Sequence, residues 1–359
     1  MLNAVKNFSV GYNPNNKSNT FTSGDYLTGT ITLDLAEDCK INSLCVKLKG
    51  KAKVKWVESY GRTIVVYHAK EKYFSIKQFI IQEGHGKSNV GQGSHVYPFT
   101  LQFPEQDLPS SFRDKKGKIL YKLEANLSRP MSMDSKAKAQ LTFISKTNLN
   151  TPPGLMAPQH SVKDKTMKLF TSGTVAMDVN IDRMGFYQGE DIKVVAFIQN
   201  RSSREIKPKY RLYRKHSFFS KLKRKVETKE LLKEVGEPVP PSVSQTVTRI
   251  ITIPPAADPS ILNCNLIKAE YRLRVYLDVK YDTDPEIKFP IVILPAIQAP
   301  DVQPPPANPA FVFEGFRNPE HPGWDSSTQN PTASGPSAPP PTSQLYGIYP
   351  PLSGFDEKF

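Results

Sequence analysis

The chain has 359 residues, with 48 lysines and arginines against 34 aspartates and glutamates, a formal net charge of +14, 32 prolines and three cysteines. That length exceeds what one hydrophobic core usually serves, so two cores and an appendage are the natural division. Cys39, Cys45 and Cys264 have no CxxC or zinc-ligand spacing, which argues against a disulfide framework or a structural metal, and no stretch approaches the roughly 20 apolar residues that span a bilayer.

Met1 to Asn7 hold no apolar run of signal-peptide type, so a cytoplasmic location is expected. Phe21-Thr22-Ser23-Gly24-Asp25-Tyr26-Leu27 reads as a turn with glycine before an acidic residue, leading into an alternating strand. Gly84-His85-Gly86-Lys87-Ser88 invites comparison with a phosphate loop, but it lacks the upstream glycine and a following helix, and a hairpin loop is expected. Gly93-Ser94-His95-Val96-Tyr97-Pro98-Phe99-Thr100-Leu101-Gln102-Phe103-Pro104 predicts a strand stopped by Phe103-Pro104. After the turn Leu108-Pro109-Ser110-Ser111-Phe112 comes a second strand, whose Ile119, Tyr121, Leu123, Ala125 and Leu127 fall at a period of two and should face a core.

The same grammar then returns. Phe186-Tyr187-Gln188-Gly189-Glu190-Asp191-Ile192 echoes the first turn, Ile253-Pro254 echoes Phe103-Pro104, and Pro259-Ser260-Ile261 answers Ser110-Ser111-Phe112. Tyr271, Leu273, Val275, Leu277 and Val279 repeat the alternation. So long a period means duplication of a domain rather than a stacked array. Two homologous all-β domains follow, at residues 1–147 and 169–297. Residues 148–168, with Thr151-Pro152-Pro153-Gly154 and no sustained period, read as a linker or hinge with room for short strand pieces. Residues 298–359, with Pro304-Pro305-Pro306 and Pro339-Pro340-Pro341, cannot bury enough apolar surface to offset chain entropy and should be a disordered, proline-rich tail.

Charge divides unevenly. The tail carries six acidic and two basic residues, leaving +18 on residues 1–297, a body suited to anionic partners. Arg214, Lys215, Lys221, Lys223, Arg224 and Lys225 cluster around Phe218-Phe219. Three readings are open: contact with anionic lipid or phosphate, a solvated hairpin, and, as the weakest, nucleic acid. The six histidines form no HExxH, no GxSxG accompanies them, and the one GKS, Gly86-Lys87-Ser88, lacks the upstream glycine of a phosphate loop, so a non-enzymatic protein without cofactor or metal is expected.

The phrases of residues 93–127 resemble the N-domain signature of arrestins. Asn200-Arg201-Ser202-Ser203-Arg204, the run from Asn263 to Tyr271, and Leu277-Asp278-Val279 look like the C-domain of the α-arrestins, the arrestin domain-containing proteins. The resemblance covers about residues 5–295. It implies two immunoglobulin-like β-sandwiches in tandem, joined by a short hinge, and an adaptor that engages cytoplasmic regions of membrane proteins. Aligned on Phe186, the position that holds a basic residue of a buried ionic core in visual and β-arrestins is Asp182 here, so that phosphate-sensing switch is not carried over.

The tail lacks the Pro-Pro-x-Tyr motif by which many α-arrestins dock WW domains of ubiquitin ligases: Pro340-Pro341-Thr342-Ser343 and Pro350-Pro351-Leu352-Ser353 have no tyrosine. Pro336, Ser337, Ala338 and Pro339 match the motif read by the UEV domain of the ESCRT machinery. Ile348, Tyr349, Pro350 and Leu352 fit both the LYPxL class bound by the adaptor ALIX and a YxxΦ signal for clathrin adaptors. The expected function is trafficking of membrane cargo, with recruitment from the cytoplasm to plasma membrane and endosomes. The alternative is a cytosolic signalling scaffold that holds a soluble regulatory protein and moves no cargo.

Overall fold

The structure, a computed structural model, describes residues 4–82, 89–146, 153–167, 173–280 and 282–295. Among these the expected all-β architecture is present. The first sandwich contains β1 (Val5–Tyr12), β2 (Thr20–Phe21), β3 (Tyr26–Leu35), β4 (Cys39–Lys40), β5 (Ser43–Tyr60), β6 (Thr63–Gln82), β7 (Asn89–Val90), β8 (Gly93–Gln102), β9 (Phe112–Arg113), β10 (Gly117–Ser128) and β11 (Ser135–Phe143). One layer runs β1-β3-β8 and the other β2-β11-β10-β5-β6, with β9 on β10, while β4 and β7 form a small clip. Ile119, Tyr121, Leu123, Ala125 and Leu127 are all fully buried between the layers, as their spacing predicts.

The second sandwich is built from β12 (Gln159–Thr166), β13 (Gly173–Ile181), β14 (Gly185–Tyr187), β15 (Asp191–Ser202), β16 (Lys207–Phe219), β17 (Arg224–Val235), β18 (Val243–Thr252), β19 (Ile267–Asp278) and β20 (Glu286–Leu294). Its layers, β12-β13-β15-β18 and β14-β20-β19-β16-β17, repeat the first sandwich strand for strand, including the parallel pairing of β2 with β11 and of β14 with β20. The exception is β12. It lies in the stretch read as linker, yet it pairs with β13 along its whole length, from Gln159 opposite Ile181 to Thr166 opposite Thr174. Its sequence, Gln-His-Ser-Val-Lys-Asp-Lys-Thr, shows no apolar alternation because an edge strand with a largely exposed surface needs none.

The duplication extends to individual hydrogen bonds. Gly24 and Gly189 both adopt positive φ, +83° and +81°, which glycine tolerates without steric cost. One residue on, Asp25 accepts from the Thr22 amide at 2.8 Å and Glu190 from the Tyr187 amide at 2.7 Å, closing the same turn. The Tyr121 hydroxyl donates to the Pro109 carbonyl at 2.7 Å and the Tyr271 hydroxyl to the Asp258 carbonyl at 2.5 Å. Ser111 and Ser260 hydroxyls accept from the amides of Phe143 and Ile293. Each tyrosine thus ties the incoming loop to the buried strand. Burial pushes the Tyr121 phenol strongly upward, so it stays protonated and remains a donor at any ordinary pH. Removing the hydroxyl in Tyr121→Phe strands the Pro109 carbonyl without its partner and should cost about 1–3 kcal/mol in urea unfolding.

Candidate partner-binding surfaces

Two paired strands of the second sandwich also contribute to the first. Tyr210 and Leu212 of β16 and Tyr271 to Leu277 of β19 lie in the second core, but Phe218, Ile267 and Ala269, together with Ile261 and Cys264, lie in the first. Phe218 stands opposite Ile267 in the β16/β19 ladder, and the pair closes over Gly117. A Cβ at Gly117 would come within 2.9 Å of both side chains, so glycine there is required by close approach.

Polar contacts ring this apolar plug. Asn263 donates to Asp107 at 2.8 Å, Asn265 to Glu71 at 2.8 Å, and Lys116 is paired with Glu227. The Tyr73 hydroxyl lies 3.3 Å from the Cys264 sulfur. His216, 2% exposed, sits edge-on between Phe112 and Phe218, with Nδ1 3.8 Å from Asp114 and Nε2 without a hydrogen-bond partner. Burial, and then the Arg214 guanidinium, hold its imidazole below the ordinary histidine range, while Asp114, Asp258 and Glu227 pull the other way.

The basic cluster of residues 214–225 forms the end of β16, the following turn and the start of β17, and most of its charges are matched. Lys223 and Lys225 donate to the two oxygens of Glu58, at 2.5 and 2.9 Å, from across the junction. Arg214 pairs with Asp258 at 2.7 Å, Lys215 lies 3.7 Å from Glu270, and Arg224 donates to Ser217 and lies over the Phe219 ring. Hydrogen bonds from Lys223, Tyr60 and Lys225 hold the Glu58 carboxyl at about 2, and Lys223 is raised in return. Of the six basic residues predicted to touch lipid or phosphate, Lys221 alone has no partner among the described residues. Leu222 beside it is 87% exposed. Pro336, Ser337, Ala338, Pro339, Ile348, Tyr349, Pro350 and Leu352 lie outside the described residues, as does the loop of residues 84–88.

A larger basic surface escaped the sequence reading. On the outer face of the first sandwich β5 presents Lys47, Lys49, Lys51, Lys53 and Lys55, every second residue of a continuous run. β6 adds His68, Lys70, Lys72 and Lys77, β10 adds Lys118 and Lys122, and β11 adds Lys136 and Lys138. Glu124 is the one carboxylate on these four strands that shares the face, and it accepts from Lys49 at 2.7 Å and Lys122 at 2.8 Å. Burial would raise its carboxyl, but the lysine hydrogen bonds outweigh it and bring it to about 2. The signal was legible as lysine at period two. Runs of contiguous charge, the feature that drew attention to residues 214–225, do not detect it.

The sequence matches the family description "Arrestin (or S-antigen), N-terminal domain" over residues 9–150 and "Arrestin (or S-antigen), C-terminal domain" over residues 171–297. The chain belongs to the arrestin family, in its α-arrestin branch. It is 29% identical over 300 residues to arrestin domain-containing protein 4 of Mus musculus, covering 80% of this chain and 72% of the relative, and 28% identical to the Homo sapiens protein of that name, covering 76% and 68%. It is also 27% identical over 297 residues to thioredoxin-interacting protein of Rattus norvegicus, covering 82% and 75%. Within this arrestin Asp182 is exposed, and its neighbour Arg183 pairs with Glu190 of the conformationally required turn while stacking on Phe186 at 4.8 Å.

Truncating Phe218 to alanine should cost about 3–5 kcal/mol, because it opens a cavity in the first core although the residue belongs to the second sandwich. Urea unfolding followed by Trp56, in a background where Trp324 is phenylalanine, reads the first core directly. The junction should also respond to acid in a defined window. His216 is held neutral, so as pH falls below 6.5 the undocked state takes up a proton that the docked state refuses, and docking weakens. The Glu58 contact responds in the same direction but at lower pH: its carboxyl is depressed, so its contribution is full above 4.5 and is lost only as pH falls towards 2. Loosening as pH falls below 6.5, read from Trp56 emission, should therefore be present in the native chain and absent in His216→Gln.

Proposed function

We propose that this arrestin is a non-enzymatic trafficking adaptor whose body engages cytoplasmic regions of membrane proteins and whose tail recruits sorting machinery. The observation that carries the reading is the use made of the reactive side chains. The cysteines are buried and free, Tyr73, Tyr121 and Glu58, whose acid–base behaviour is strongly shifted, are held by contacts within the fold, Tyr210 is buried in the second core, and among the described residues no group of three or more histidine, cysteine, aspartate or glutamate side chains could hold a metal. What remains available is surface. Broad sheet faces, one of them strongly basic, suit an extended or acidic polypeptide.

In the tail, Pro336, Ser337, Ala338 and Pro339 supply the ESCRT UEV motif, and Ile348, Tyr349, Pro350 and Leu352 supply the ALIX or clathrin-adaptor motif. Both depend on an extended backbone that proline presets at little entropic cost. Such short motifs have few anchors, so an affinity no better than roughly 10–100 μM, about 6 kcal/mol, is expected, with avidity at the membrane completing recruitment to plasma membrane and endosomes. A second reading, a cytosolic scaffold for a soluble regulatory protein, is favoured by one observation. A relative that aligns with 82% of this chain is named for its interaction with thioredoxin.

Pro336→Ala with Pro339→Ala should abolish capture of a UEV domain by the full-length chain, and the native chain should show no measurable WW-domain binding. Proximity labelling in cells then separates the two readings. Enrichment of ESCRT or clathrin components that depends on the tail motifs supports the adaptor, and their absence together with a soluble enzyme partner supports the scaffold.

A further inference from the structure

Opposite residues of neighbouring strands lie about 5 Å apart at Cβ, and like charges placed there destabilise a sheet. The first sandwich tolerates a row of them. Lys53 stands opposite Lys70 on one side and Lys118 on the other, and Lys118 stands opposite Arg113, so four cationic side chains cross β6, β5, β10 and β9 in line. Lys51 faces Lys72 in the next row, and Lys55 faces His68 on the other side. Among the described residues Lys53, Lys55, Lys70, Lys115 and Lys118 make no ion pair, whereas most of the charges around residues 214–225 do. Burial, and then repulsion from Lys53, Lys122, Lys70 and Lys49, lower the Lys51 ammonium, which is the mark of a crowded, undercompensated field.

This row opens onto a cavity of 690 Å³ between the β5/β6 hairpin and the turn that precedes β10, a size suited to a small ligand. The Lys55 amide donates to the Lys116 carbonyl at 2.8 Å, which ties the turn to β5 and fixes the far wall. The cavity has one carboxylate, Asp114, and it is engaged: it accepts from the Lys116 amide at 3.0 Å and lies towards His216. The lysines therefore converge on space in which Asp114 is the one compensating charge of the lining, against Lys53, Lys55, Lys70, Lys115 and Lys118. Beyond the rim, Val57 and Ile64 project from the same side of the hairpin and are 53% and 69% exposed.

We infer that this cavity binds a compact, multiply phosphorylated anion, held by Lys53, Lys70 and Lys118 with Lys55 and Lys115 closing over it. Its source is either a free polyphosphate or the headgroup of a phosphorylated lipid, with Val57 and Ile64 then meeting the bilayer surface. The inference concerns the body alone and stands independently of the tail motifs.

The test is isothermal titration of the full-length chain with tripolyphosphate in 0.15 M salt, where scattered surface charges are largely screened and a convergent site is less so. Saturable binding, at least tenfold weaker in the combined variant Lys53→Gln, Lys70→Gln, Lys118→Gln and unchanged in Lys221→Gln, is expected. Without ligand the combined variant should melt at or above the native temperature, since it relieves repulsion, and it should lose the rise that tripolyphosphate gives the native chain. A lysine row kept for structural reasons predicts a lower melting temperature instead. Vesicles of phosphatidylcholine with phosphatidylinositol bisphosphate assign the source: co-sedimentation of the native chain but not the variant identifies the headgroup, and soluble binding without co-sedimentation identifies a free anion. Absence of saturable binding at 0.15 M salt, or equal binding by native and combined variant, overturns the inference.

Discussion

Everything in the body depends on the ribbon of β16 and β19, which serves two cores at once. Its one end fills the second sandwich with Tyr210, Leu212, Tyr271 and Leu273, and its other end seals the first with Phe218, Ile267 and Ala269. Full burial of side chains of this size contributes about 1.5–3 kcal/mol each, more than an exposed ion pair supplies. The salt links around the rim, such as Lys223 and Lys225 on Glu58, are therefore better understood as setting the angle and specificity of docking than as holding the halves together. The basic cluster of residues 214–225 is part of that rim.

Sharing a ribbon changes what a domain boundary means here. In sequence the first sandwich ends with β11 at Phe143 and the second begins with β12 at Gln159, yet the mechanical boundary runs through β16 and β19, far along the second half. A stimulus at the β16/β17 turn is consequently felt in the first core, through Phe218 and through Glu58 on the β5/β6 hairpin. His216 sits where these routes meet, between aromatic rings from both halves.

The fold was legible because each of its elements is announced locally. Period-two apolar runs ending at Phe103-Pro104 and Ile253-Pro254, and the two Gly-acid turns, name the strands and the duplication without help from distant residues. β12 was not, since an exposed edge strand carries polar residues on both faces. The junction was hidden for another reason: Glu58 and Lys223, or Gly117 and Phe218, are neighbours only after folding, and nothing in their surroundings marks them as partners. The lysine face falls between these cases. Its alternation is as regular as that of any apolar strand, and it becomes a site only because register sets Lys70, Lys53 and Lys118 side by side.

The borrowed plug has a consequence for biosynthesis. When β11 leaves the ribosome the first sandwich has all its own strands, but the space beside Gly117 stays unfilled until the chain has been extended through Phe218 to Ala269. At about 5–20 residues per second that interval lasts roughly 6–25 s. During it a nascent sandwich presents a sticky apolar opening, and a premature stop anywhere before β19 would leave that opening permanent. Truncated transcripts of this arrestin should therefore yield chaperone clients and degradation substrates rather than soluble half-molecules.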